Sequence, residues 1–342
     1  GFQMVASYFS VALILLITFG ACSQNEKVVE VPVVKEVEKI VEVEKDPGKM
    51  VLYSGRKESL VGEIVKQFEE ATGIDVQVKY AKTFPLAAMI LEEGDRSPAD
   101  IYFAQDPGGL GFLSAEGRLV ELPPEITDRV ADWAKPENGT WIGLSGRART
   151  LVYTASLEES ELPSSLEDLV KPKWKGKLGW APSNSSFQTM VTGMRVMWGE
   201  AKTKEWLEGM IANKAITYPK NTPQVAAAAV GEINIGLVNH YYLHRFLAEE
   251  GDQFNARNLY LSDGGPGSLV MVAGAGILDT AENRENAERF LKFMTSTVAQ
   301  QYFSDQVYEY PVVEGVKIHK FLPSFSELNM PKLTMEDLSD LK

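Results

Sequence analysis

The chain has 342 residues, 44% hydrophobic and 24% charged, an ordinary soluble composition long enough for two packed cores. Its net charge of −13 argues against nucleic acid as a partner, because phosphate binding needs clustered Lys and Arg. The single cysteine, Cys22, excludes an intramolecular disulfide and leaves the body of the chain without thiol chemistry.

Val11 to Phe19 is an apolar run of signal-peptide length, too short to span a bilayer comfortably. It ends in Phe19-Gly20-Ala21-Cys22-Ser23, small residues before a cysteine, which resembles a bacterial lipoprotein signal. The expectation is a signal peptide over 1–21 and an acylated Cys22 that anchors the protein to a membrane outside the cytoplasm. Within residues 22–48, the stretch from Glu26 to Asp46 is a low-complexity alternation of Val, Glu and Lys. That alternation is compatible with a strand, but Pro32, the mixed charges and the adjacent anchor favour an extended tether.

The globular part begins near Lys49. Met50–Gly55 reads as a strand and turn, Ser59–Thr72 as a helix with an apolar face closed by Gly73, and Ile74–Val78 as a strand. Phe84–Glu93 reads as a helix and Ala99–Phe103 as a strand entering a turn at Asp106-Pro107-Gly108-Gly109. This β-α-β-α-β order predicts a parallel, doubly wound α/β sheet. Arg147–Tyr153 and Leu178–Pro182 follow as strands, with helices at Ser186–Trp198, Lys202–Asn213 and Thr222–Val230. Glu232–Val238 alternates as a strand, Ser268–Ala275 is apolar throughout, and Glu282–Phe303 reads as one amphipathic helix. The expected organisation is two α/β lobes around a cleft and hinge. The first comprises 49–146 and 268–342, with C-terminal helices packing partly on the second, 147–267.

Two adjacent tyrosines, Tyr241 and Tyr242, follow the strand that ends near Val238. Neighbouring strand residues face opposite ways, so both phenols reach one place only where the chain turns out of the strand. In open α/β sheets ligands bind beyond the carboxyl ends of strands. Phenolate is an anionic oxygen donor of the kind a small, hard cation such as Fe(III) favours, and a bound cation favours the deprotonated form.

Leu52-Tyr53-Ser54-Gly55-Arg56, Ser145-Gly146-Arg147-Ala148-Arg149 with Tyr153, Trp180-Ala181-Pro182-Ser183 and Asn239-His240-Tyr241-Tyr242 occur in this order. Together they resemble the periplasmic ferric-iron-binding proteins of ABC transporters, over about residues 50 to 315. The resemblance implies the two-lobed type II periplasmic binding protein fold and Fe(III) as transported ligand. Tyr241 and Tyr242 match the family's tyrosine pair, and Tyr153 matches a third tyrosine used in some branches. Where other branches carry a histidine this chain reads Gly55-Arg56-Lys57-Glu58, and where they carry a glutamate it has Gln105. An oxygen-only set completed by carbonate or bicarbonate is therefore implied, held by Arg56 and Arg147, by Asn184, Ser185 and Ser186 at a helix start, and by Asn221 and Asn239. Arg149 competes with Arg147 for that role, Asp106 is an alternative carboxylate, and His240 and His244 are read as supporting or surface residues.

The partners implied are an ABC permease and a membrane reached through the lipid anchor, for a monomer that binds no nucleic acid. The closest alternative in the same fold is a binder of a small organic or phosphorus-containing solute, such as a phosphonate, polyamine or thiamine, with Trp180, Phe187 and Trp198 lining an apolar pocket. No Gly-x-Ser-x-Gly elbow or His-Glu-x-x-His motif is present and the chain has three histidines, so no enzyme is expected.

Overall fold

A computed structural model describes residues 3–13, 33–43 and 45–340. It divides into two units, Gly1–Pro47 and Gly48–Lys342. In the first, β1 (Gln3–Leu13) pairs antiparallel with β2 (Val33–Val43), with Tyr8 opposite Glu38. The period-two alternation of Val33–Val43 is what a strand requires, and this ladder stands where the sequence favoured a tether. Cys22 lies outside the described residues.

The second unit is built on one mixed sheet of order β4-β3-β5-β11-β6-β9-β7-β8, with β10 also paired to β6. Strand β3 (Lys49–Ser54) leads into α1 (Glu58–Thr72), β4 (Asp75–Tyr80), α2 (Thr83–Glu93) and β5 (Ile101–Ala104). Both β4 and β5 run parallel to β3, the pairing that crossovers through helices make possible. Helix α1 buries Leu60, Val61, Ile64, Val65 and Phe68 on one face, and Phe68 meets Phe290 edge-to-face at 5.2 Å. It stops at Gly73, whose φ of 71° lies in the left-handed region that favours glycine.

Asp106-Pro107-Gly108-Gly109, expected as a turn, instead starts a helix, α3 (Pro107–Ala115). Proline suits a first helical turn, and a Cβ at Gly109 would lie 2.3 Å from the Tyr102 hydroxyl, so this glycine answers to packing. After the single turn α4 (Pro124–Thr127), strand β6 (Ile142–Thr154) joins the two halves of the sheet. Its first half pairs with the later strand at Val270–Ile277, and its second half with the strands at Ile235–Asn239 and Ala256–Leu259.

The second half continues through β7 (Leu178–Trp180), α5 (Ser185–Trp198), α6 (Glu200–Ala212), β8 (Ile216–Thr217) and α7 (Asn221–Ala229). It is completed by β9 (Ile235–Asn239), α8 (Tyr241–Glu250) and β10 (Ala256–Leu259), and β11 (Val270–Ile277) returns to the first half. The one helix expected over 282–303 is two, α9 (Arg284–Met294) and α10 (Thr297–Asp305). Ser296 separates them because its hydroxyl accepts from the Ala299 N–H, capping a new helix. Beyond α11 (Phe325–Leu328), the turn Asp337–Ser339, with Leu338 buried, packs against both α3 and α5. No helix among the described residues is long and apolar enough to cross a membrane.

Candidate functional site

Strand β9 is buried throughout and hands the chain to α8 at Tyr241. A helix turns about 100° per residue rather than the 180° of a strand, so its first two side chains lie near one another. The Tyr241 and Tyr242 hydroxyls are 3.2 Å apart and their ring centroids 4.4 Å. Tyr241 is fully buried and Tyr242 is 6% exposed. Burial, and then Tyr241, push the Tyr242 hydroxyl pKa up; Arg147 and Arg56 oppose the shift.

Strand β6 places two arginines beside this pair. Arg147 and Arg149 alternate onto one face and are both buried. Arg147 Nη1 donates to Ser186 Oγ at 2.9 Å, and Arg149 Nη1 donates to Asn239 Oδ1 at 3.2 Å. The Asn239 amide then donates to the same Ser186 hydroxyl at 3.1 Å. Asn184 caps α5, its Oδ1 accepting from the Ser186 and Phe187 N–H groups. Arg147 Nε and Nη2, Arg149 Nε and Nη2 and Asn221 Nδ2 are buried donors with no hydrogen-bond partner in the protein. Burial, then neighbouring Arg147, push the Arg149 pKa down to about 9, against the pull of the two tyrosines. An anion among these donors would oppose both effects by favouring the charged guanidinium.

Arg56 behaves differently. A Cβ at Gly55 would lie 2.3 Å from Thr83 Oγ1, so glycine is needed for the β3–α1 loop to pass α2 and bring Arg56 inward. There it pairs with buried Glu309 through both Nη1, at 3.2 Å, and Nη2. Glu309 also accepts from Ser145 Oγ at 2.5 Å. Burial alone would lower the Arg56 pKa, but Glu309 and then Tyr241 outweigh it and hold it up. Both Nη groups, read from the sequence as anion contacts, are therefore committed to Glu309.

Tyr153 is not brought to the tyrosine pair. It stands on β6 opposite Ile235 and Arg257, four residues beyond the Arg149–Asn239 pairing. At about 3.3 Å per residue, that is roughly 13 Å along the strand. The register of β6 on β9 is the physical reason: the tyrosines follow Asn239, at the Arg149 end. The aromatic residues proposed for an apolar pocket are not gathered at the site either. Trp180 and Phe187 are buried edge-to-face in the core at 5.7 Å, and Trp198 lies under the Lys202 ammonium.

His240 is buried, accepting from the Ala148 N–H at Nδ1 (3.0 Å) and donating from Nε2 to the Tyr308 carbonyl. Burial, then His244, push its pKa down to about 3. His244 stacks on Tyr308 at 5.2 Å, and burial pushes its pKa down to about 4. Among the described residues no group of three or more His, Cys, Asp or Glu is placed to hold a metal ion. A cation taken here would need the phenols.

A cleft of about 860 Å³ opens onto the site, lined by Arg56, Tyr80, Gln105, Ser185 and Tyr242, with Lys57, Lys82 and Lys220 among the groups at its walls. Tyr80 and Glu309 were not singled out from the sequence. Tyr80 is an unremarked strand end, and Glu309 acquires meaning only from Arg56, 253 positions away.

The profile of the bacterial extracellular solute-binding proteins matches residues 50–309. The chain belongs to that family. Among its relatives, the major ferric iron-binding protein of Neisseria meningitidis is 32% identical over 295 residues, 85% of this chain and 89% of that protein. The structure of iron-bound HitA from Pseudomonas aeruginosa is similar at a TM-score of 0.82 and 34% identity, covering 85% of this chain and 95% of that one. A Trichodesmium protein in complex with iron and citrate ligands gives a TM-score of 0.75 at 29% identity, over 85% of this chain and 95% of that one. This solute-binding protein thus has the two-lobed type II periplasmic binding protein fold.

Proposed function

We propose that this solute-binding protein captures ferric iron outside the cytoplasm and delivers it to an ABC permease. The observation that carries the reading is the buried Tyr241–Tyr242 pair beside the guanidinium groups of Arg147 and Arg149, whose Nε and Nη2 donors have no hydrogen-bond partner in the protein. Tyr241 and Tyr242 would bind the cargo as phenolates, and ferric iron supplies the charge that makes deprotonation favourable. Carbonate or bicarbonate would complete the set as a bidentate anion, held by Arg147, Arg149 and Asn221 and by the start of α5 at Ser185 and Ser186. Asn184 and Asn239 support that pocket by fixing α5 and the arginines, while Arg56 contributes its field from the Glu309 pair. Relatives named as ferric iron-binding proteins support the cargo.

The protein's task is binding and release, with no catalysed reaction of the cargo. The reading includes a signal peptide over 1–21, a lipid on Cys22 and a monomeric chain that the permease engages from outside. The lobes would be 49–146 with 268–342, and 147–267, with β6 and β11 as the crossings between them. Ligand would favour the closed arrangement through its greater affinity for that state.

Visible absorption tests the reading. The metal-stripped protein, titrated with ferric citrate with and without bicarbonate, is expected to develop a broad phenolate-to-iron band saturating near one equivalent. Bicarbonate dependence would identify the anion. A colourless protein stabilised instead by a small organic solute would overturn the iron reading and leave the fold intact.

A further inference from the structure

Asp106 is a buried carboxylate with no task in the reading above. It directly precedes α3, is fully buried, and neither carboxylate oxygen makes a hydrogen bond. An ionisable group in that condition is expensive unless a charge compensates it. The compensating charge is Arg147, whose Nη2 lies 3.9 Å from Asp106 Oδ2. Burial pushes the Asp106 pKa up, and Arg147, ahead of the Ser185 and Thr189 hydroxyls of α5, opposes that shift and favours the ionised form. Arg147 and the first turn of α5 are the groups assigned above to an exogenous anion.

The balance of buried charge supports the same placement. Arg56, Arg147 and Arg149 are all buried, and Glu309 is committed to Arg56. Asp106 is left as the carboxylate beside Arg147, and among the described residues Arg149 has no ion pair of its own, so one positive charge remains uncompensated. Arg147 is held 3.9 Å from its carboxylate partner, with Nε and Nη2 unbonded, a pair drawn together by charge but not closed. A free oxyanion able to engage both arginines would compete directly with such a partner.

We propose that Asp106 is a built-in competitor for the anion pocket: its carboxylate balances Arg147 when no exogenous anion is bound, and so sets how tightly the protein takes one. This rests on the anion pocket of the preceding reading but not on the identity of the cargo. An anion entering beside Asp106 meets a like charge, and like-charge juxtaposition weakens binding. Oxyanions that reach both Arg147 and Arg149 overcome the repulsion more readily than chloride does.

Calorimetric titration of the iron-free protein with inorganic phosphate tests this without relying on metal. Asp106→Asn and Asp106→Ser remove the charge with little and with greater change of shape. Both are expected to bind phosphate about tenfold or more tightly than the wild type, and Arg147→Met is expected to abolish that binding. Unchanged or weaker phosphate affinity in both neutral variants would overturn the proposal. So would phosphate binding that survives Arg147→Met, or its absence from all forms. Running the ferric citrate titration on the same proteins separates the two readings. A tightened phosphate affinity with no visible band in any form would remove iron and keep Asp106 in its role.

Discussion

Two buried arginine environments lie within the same site and are finished to different degrees. Arg56 is closed in charge: Glu309 takes both its Nη groups, leaving only Nε without a hydrogen-bond partner, and Ser145 donates to the carboxylate. Arg147 and Arg149 are open: each has one donated bond, and four further nitrogen atoms have no hydrogen-bond partner in the protein. Burying a guanidinium is costly in either case. In the closed environment the protein supplies the compensation itself, so the group serves the scaffold. In the open one the compensation is only partial, so the group is available to a ligand. Substitutions on the closed side should therefore change stability, and those on the open side should change binding.

The largest expected effect is on the closed side. Glu309→Ala leaves Arg56 buried without its partner and is expected to lower unfolding free energy by about 3–5 kcal/mol. Denaturant unfolding measures it, and a loss below about 1 kcal/mol would mean that the pair is not a structural element. Next come the phenols. Tyr241→Phe and Tyr242→Phe each remove a metal donor, and iron affinity should fall by more than the roughly 10–100-fold that outer-shell substitutions cost. Because both replacements keep the ring, the melting temperature should move little.

His240 belongs to the closed side as well, with both ring nitrogens engaged. Its folded pKa is pushed down to about 3 and that of His244 to about 4, below the ordinary value of 6.5. The unfolded chain therefore takes up protons near pH 6.5 while the folded chain does not. Their stability contribution is fully present above pH 6.5 and is lost as pH falls towards 4, at up to about 1.4 kcal/mol per unit for each histidine. Chemical unfolding at pH 7, 6 and 5 should show that slope, and His240→Asn should flatten it by the share of one group.

Arg149→Met tests the open side from the opposite direction. Removing a poorly compensated buried charge in favour of an apolar chain is expected to leave stability unchanged or raise it by about 1 kcal/mol. Phosphate or bicarbonate affinity should fall about tenfold. A large loss of stability in this variant would place Arg149 with Arg56, among the structural cations, and erase the distinction.

The sequence carried much of this where the signal was local. Alternation in Glu232–Val238 placed β9, and the two tyrosines at its end are the first residues of α8. Gly-Arg patterns brought Arg56, Arg147 and Arg149 to notice, and all three are buried beside the pair. What was not legible depends on long-range pairing. Glu309 has no local pattern to mark it as the partner of Arg56. Asp106-Pro107-Gly108-Gly109 has turn composition, yet Gly109 answers to the Tyr102 hydroxyl from a neighbouring strand. The break at Ser296 is a cap, and a continuous apolar stripe on either side conceals it.

Tyr153 makes the smallest prediction and the one that most directly separates pattern from register. It shares the alternation of Arg147 and Arg149 along β6, so the face it occupies is correctly read from the sequence. What the sequence does not contain is the pairing of Arg149 with Asn239, which fixes the tyrosine pair at that level and leaves Tyr153 four residues farther along. Tyr153 is only partly buried there, opposite Ile235 and Arg257. Tyr153→Phe should therefore change stability by no more than about 0.5 kcal/mol, as for a substitution away from any special feature. The iron-dependent band should keep its position and its saturation point. A shifted or weakened band in this variant would mean that the strand register changes when the cargo binds, since no side-chain rotation carries a phenol over the roughly 13 Å that separates the two levels.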